Sequence, residues 1–161
     1  MISTRKVAFT GAIAALYIAL VMVTIPTSFG LMQFRASEAL TLLPFLFPQA
    51  IPGLFVGCFL SNVMFSDFGP PDWILGSLAT LIAALMTSRC KNRWLAAIPP
   101  VLVNALVIGI MLNVLLEMGL AAIPFSILTV GLGQTAVCFG LGIPLIYALE
   151  KVKLREKLEN L

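Results

Sequence analysis

The 161-residue sequence contains no histidine, and only 11% of it is charged. Without imidazole the commonest metal ligand and general base is missing, and no glycine-rich G-x-x-x-x-G-K-[ST] loop offers a nucleotide site. Any ATP-driven work therefore falls to another subunit. The three cysteines, Cys58, Cys90 and Cys138, are too dispersed for a disulfide framework or a metal set and read as small apolar packing residues. No metal or cofactor is expected, and neither is enzymatic activity, since no nucleophile stands with a recognisable base. A net charge of +3, with the bases in short loops, is a poor basis for nucleic-acid binding.

What the chain has in excess is apolar side chains, 60% of all residues, which is incompatible with a soluble globular domain. The expectation is an all-α integral membrane protein in one domain, residues 1–161. At this length no added catalytic or nucleotide-binding domain is expected. Charge-free runs extend from Val7 to Phe34, Ala39 to Ser66, Trp73 to Ser88, Trp94 to Leu116 and Met118 to Leu149. The second contains Pro48 and Pro52, which read as a break because an interior proline removes a helical hydrogen bond. Six transmembrane helices are predicted, at about 5–27, 37–47, 53–66, 71–88, 94–117 and 124–150, before a charged cytoplasmic tail at 151–161. The second is too short to span a core of about 30 Å comfortably, so it is either tilted and buried among its neighbours or only partly inserted. The first begins with two bases like a secretory signal, but its Ala12-Ile13-Ala14 triplet lies inside the apolar stretch, so it is read as a mature helix.

Loop lysines and arginines set the orientation. Placing both termini in the cytoplasm puts nine of the ten bases inside and leaves Arg35 alone outside. Glu38, Asp67, Asp72 and Glu117 then mark outer helix ends, and Glu38 and Glu117 border apolar runs where an unpartnered carboxylate is costly. Asn62, Trp73, Asn113 and Gln134 fall in the same half of the bundle. Either these groups line an outward-facing polar pocket or they only fix helix packing. A pocket of carboxylates and amides with Phe34, Phe29, Phe68 and Trp73 nearby suits a planar, nucleobase-like amine. Arg35, three residues before Glu38, is expected to pair with one of the acids and can reach Glu38 on one helical turn. On the first helix, Ala8, Gly11, Ala12, Ala15 and Ala19 recur at small-residue spacing and form a candidate subunit contact.

Three segments, Arg35-Ala36-Ser37-Glu38-Ala39-Leu40-Thr41-Leu42-Leu43-Pro44-Phe45, Ala50 to Cys58 and Gly76 to Ala84, resemble the QueT family. These are the substrate-binding membrane subunits, or S components, of energy-coupling factor transporters assigned to queuosine precursors. The resemblance covers essentially the whole chain. It implies a six-helix bundle in a prokaryotic plasma membrane, with substrate bound under the loop between helices one and two. It also implies docking of the helix-one alanine face on a transmembrane coupling subunit driven by two ATPases. The implied substrate is a 7-aminomethyl-7-deazaguanine-like base or a related queuosine precursor. Glu38 and Asp72 are expected to supply carboxylates for its donor edge or ammonium, with Asn62, Asn113, Glu117 and Gln134 completing the polar contacts. The alternatives are an S component for another vitamin or nucleobase-like cation, or a membrane scaffold with no transport role.

Overall fold

The computed structural model describes residues 4–30 and 32–152; Lys153 to Leu161, most of the predicted charged tail, lies outside the described residues. Those residues are helical, with no strand among them. The first helix, α1, is Thr4–Val23. It stops short of the predicted Thr27 because Pro26 cannot donate a helical hydrogen bond, and a four-residue turn, α2 (Ile25–Ser28), follows. α3 is Ile51–Phe65 and α4 is Pro70–Thr87, entered through Gly69 at φ 66° with prolines at its first positions. A short α5 (Arg93–Ala96), capped by the Asn92 side chain on the Leu95 N–H at 2.8 Å, leads into α6 (Ile98–Leu115). α7 (Ile123–Val137) and α8 (Ile143–Lys151) are joined by a π turn over Cys138–Gly142. Pro144 accounts for that widening, since it leaves the carbonyl one turn back without its usual donor.

The predicted short second helix is a ten-residue 3-10 helix, Ala36–Phe45. Such runs rarely exceed four residues, but at a rise of about 2.0 Å this one reaches ~20 Å, where an α-helix of equal length would reach ~15 Å. Every residue from Ser37 to Pro44 is buried, so the segment sits wholly among its neighbours. α1 and α3 run side by side in the same direction. The Gly57 Cα faces Ala14 and Tyr17 so closely that an added Cβ would lie 2.8 Å from Tyr17 Cβ. α3 with α4, α4 with α6 and α6 with α7 are close antiparallel neighbours.

Polar and apolar residues are distributed inside out. Leu60, Ile82, Leu106, Leu128 and Leu132 are exposed on the outer surface, whereas Arg35, Glu38, Asn62, Asp72, Asn104 and Gln134 are all under 5% exposed. Four stretches, Thr4–Val23, Pro48–Phe65, Arg93–Leu115 and Leu120–Lys151, are long and apolar enough to cross a membrane.

Candidate functional site

The interior polar groups form two connected clusters at one end and in the middle of the bundle. The first is built on Arg35, at the close of the segment between α2 and the 3-10 helix. Its Nε donates to the Ser28 carbonyl at 2.9 Å, Nη1 to Asn62 Oδ1 at 2.9 Å and Nη2 to Asp72 Oδ2 at 3.4 Å. The Phe29 ring covers the guanidinium, with its centroid 4.5 Å from Cζ. Ser66 Oγ donates to the same Asp72 oxygen at 2.5 Å, and Asn62 Nδ2 donates to the Asp72 carbonyl at 3.0 Å. Gly76 makes room for this: a Cβ there would lie 2.7 Å from Asn62 Nδ2 and 2.9 Å from Asp72 Oδ1.

The second cluster surrounds Glu38. Tyr17 Oη donates to Oε1 at 2.5 Å and Asn104 Nδ2 to Oε2 at 3.2 Å, so the carboxylate links α1 and α6 through the 3-10 helix. The Thr41 hydroxyl donates to the Glu38 carbonyl at 2.6 Å.

Arg35 therefore pairs with an acid, but with Asp72 and not with Glu38. Arg35 caps the 3-10 helix, its carbonyl accepting from the Glu38 N–H at 3.0 Å, but its own backbone is extended, φ −105° and ψ 111°, and its side chain goes to Ser28, Asn62 and Asp72 instead of Glu38. Asn62 and Asp72 join Arg35 in one network, and Trp73 follows with its indole N–H buried and unpartnered among the described residues. Gln134 is buried near the second cluster, accepting from Cys138 Sγ at 3.9 Å. Asn113 is buried but donates to the Gly119 carbonyl at 3.2 Å, closing the turn between α6 and α7. Glu117 stands exposed on that turn at φ 51°, and Phe34 is half-buried with its carbonyl accepting from Thr27 at 3.0 Å. Phe29 is committed to Arg35, and Phe68 packs with Ile108, Met111 and Leu112 in an apolar cluster. Ala8, Gly11, Ala12, Ala15 and Ala19 all lie on the exposed face of α1, and a Cβ on Gly11 would meet nothing within 4 Å.

Sequence reasoning missed Tyr17, Asn104, Ser66, Gln33 and Ser37. Tyr17 and Asn104 carried a usable signal, being polar side chains in the middle of apolar runs, where an unpartnered group is expensive. Gln33 and Ser37 lie in the polar island Gln33–Glu38 inside a very apolar chain, which marked the segment but did not single out either residue.

An apolar exterior around a buried ionisable network defines a multi-pass membrane protein with an internal polar site. The chain belongs to the QueT transporter family, whose family model matches residues 7–151 of the 161. That family is one of transporters, not of enzymes. Comparison with curated proteins and with solved structures found no match.

Proposed function

We propose that this chain is the substrate-binding S component of an ATP-driven energy-coupling factor importer in a prokaryotic plasma membrane. Its substrate is a queuosine precursor of the 7-aminomethyl-7-deazaguanine class. On this reading α1, the 3-10 helix, α3, α4, α6 and the α7–α8 pair make six passes with both termini in the cytoplasm. The observation that carries the substrate class is the charge balance of the interior. The buried charged side chains among the described residues are one guanidinium, Arg35, and two carboxylates, Glu38 and Asp72. Arg35 and Asp72 balance each other in the first cluster, so the excess carboxylate is Glu38 in the second; with Glu38 ionised, a cationic, hydrogen-bonding base brings the interior as a whole to neutrality, whereas an anion worsens its imbalance. Asp72 Oδ1, which has no partner among the described residues, takes the donor edge of the base. Glu38, held by Tyr17 and Asn104, adds negative potential farther along the 3-10 helix.

Calorimetry with 7-aminomethyl-7-deazaguanine on the purified protein tests this. Asp72→Asn is expected to weaken binding by roughly 10-fold or more, the worth of one charged hydrogen bond, and Glu38→Gln to weaken it by removing the negative potential of the second carboxylate. Unchanged affinity in both variants would overturn the carboxylate reading.

The outward small-residue stripe Ala8, Gly11, Ala12, Ala15 and Ala19 is the docking face for the coupling subunit, which works with two ATPase subunits. Ala15→Trp is expected to abolish uptake and co-purification of the partners while leaving ligand affinity intact, because its bulk projects away from the binding clusters. Uptake that survives this bulk places the coupling face elsewhere.

A further inference from the structure

The connection between α3 and α4, Ser66 to Gly69, carries a hydroxyl that acts on the Asp72 carboxylate. Ser66 opens it in extended backbone, φ −85° and ψ 128°, with its N–H donating to the Asn62 carbonyl at 3.0 Å. Its Oγ accepts from the Phe68 N–H at 3.2 Å. An ionised carboxylate only accepts, so the one hydroxyl hydrogen goes to Asp72 Oδ2, 2.5 Å away. Arg35 Nη2 reaches that same oxygen at 3.4 Å. A carboxylate oxygen has two lone-pair sites, and both on Oδ2 are engaged. Oδ1 has no partner among the described residues.

The two donors are unequal. The Arg35 contact is long for a charged hydrogen bond, and the terminal torsion of an aspartate is broad and two-fold, so Arg35 alone does not decide which oxygen it holds. A second, shorter bond from a different part of the fold does decide it. The frame around the carboxylate is fixed as well. The Asn62 amide has one orientation, because Oδ1 accepts from Arg35 at 2.9 Å while Nδ2 donates to the Asp72 carbonyl at 3.0 Å. Gly76 keeps side-chain atoms away from the unengaged oxygen, since a Cβ there would lie 2.9 Å from Oδ1.

We infer that Ser66 is a positioning residue for ligand binding: by holding Asp72 Oδ2 it presents Oδ1, and that oxygen alone, to the ligand. Asp72 then accepts one N–H or ammonium donor instead of gripping two adjacent donors with both oxygens. This rests on the preceding assignment of Asp72 as a ligand carboxylate, and it adds the residue that selects the oxygen. Without the hydroxyl the carboxylate can turn Oδ1 towards Arg35, and the ligand loses its acceptor.

The test uses the full-length protein in detergent with 7-aminomethyl-7-deazaguanine as the probe. Calorimetry measures affinity, and thermal unfolding without ligand measures stability. Ser66→Ala is expected to bind roughly 5- to 10-fold more weakly, and to melt a few degrees lower because the Phe68 N–H loses its acceptor. Ser66→Thr keeps the hydroxyl, and extended backbone suits a β-branched side chain, so its affinity should stay within about 2-fold of wild type. The decisive comparison is with Asp72→Asn. In that background Ser66→Ala should change affinity by less than about 2-fold, since no carboxylate is left to aim, although the melting temperature should still fall. An equal loss of affinity in both backgrounds makes Ser66 merely structural. So does a Ser66→Thr protein that melts like wild type yet binds as weakly as Ser66→Ala. Wild-type protein that does not bind the probe overturns the substrate reading, and this assignment with it. Wild-type binding that is indifferent to Ser66→Ala overturns this assignment alone.

Discussion

Arg35→Ala is expected to lower the melting temperature by about 10 °C or more and to abolish ligand binding, the largest effect of any single change in this chain. The guanidinium serves three acceptors on three separate parts of the fold: the Ser28 carbonyl, Asn62 Oδ1 and Asp72 Oδ2. Truncation strands all three, and Asp72, with no exposed surface, becomes a buried carboxylate without a counter-charge. Breaking a buried pair from one side costs about 3–5 kcal/mol. Arg35→Lys is expected to recover little, because one ammonium cannot match a planar fork directed at three acceptors. Removing the charge from both sides is different. The double variant Arg35→Leu, Asp72→Leu should regain most of the lost stability but none of the binding, and a double-mutant cycle followed by thermal unfolding measures the difference. A single Arg35→Ala protein that melts within about 2 °C of wild type would show that the network does not hold the segment between α2 and the 3-10 helix in place.

Gly133→Ala is expected to separate binding from folding. A methyl group at this position overlaps the Met32 carbonyl, so either α7 or the segment carrying Met32 must move. α7 is the more constrained of the two, since Gly109 of α6 already brings its backbone against Ile127 closely enough that a Cβ there would fall 2.8 Å from Ile127 Cα. The segment carrying Met32, Gln33 and Arg35 therefore yields. Affinity should fall by roughly 100-fold, as displacement by about an ångström disrupts a preorganised site, while the melting temperature drops only a few degrees. Gly140→Ala, with nothing within 4 Å of its Cβ, is the control and should leave affinity unchanged. Parallel calorimetry and limited proteolysis around Met32 would report the two effects. Wild-type affinity in Gly133→Ala would mean that the Met32 segment does not rest on α7 during binding.

Much of the buried site was legible in the sequence. Glu38, Asn62, Asp72, Asn113 and Gln134 interrupt or border apolar runs, and in a bilayer such groups turn inward because lipid offers them no partner; all five are buried. Their company was not legible. Asn113 closes a turn instead of joining the clusters, a distinction that depends on where the Gly119 carbonyl arrives. Glu117 looked equivalent to Asp72 at a helix end, but the chain turns beyond it and leaves it exposed. The 3-10 winding of Ala36–Phe45 also escaped notice, because a segment of mostly apolar side chains buried on all sides has no polar stripe to show whether its period is 3.6 or 3.0.

By itself the sequence determined the solvent this protein folds in, the approximate placement of its helices and the residue types forced into its interior. These follow from transfer energies and local backbone chemistry, which act on short windows of chain. Only the tertiary structure decided which buried groups meet. Arg35 pairs with Asp72 and Asn62, 37 and 27 positions along the chain, and leaves its near neighbour Glu38 to Tyr17 and Asn104. Hydrogen bonds are directional and short, so that choice depends on positions of a few tenths of an ångström set by the whole bundle.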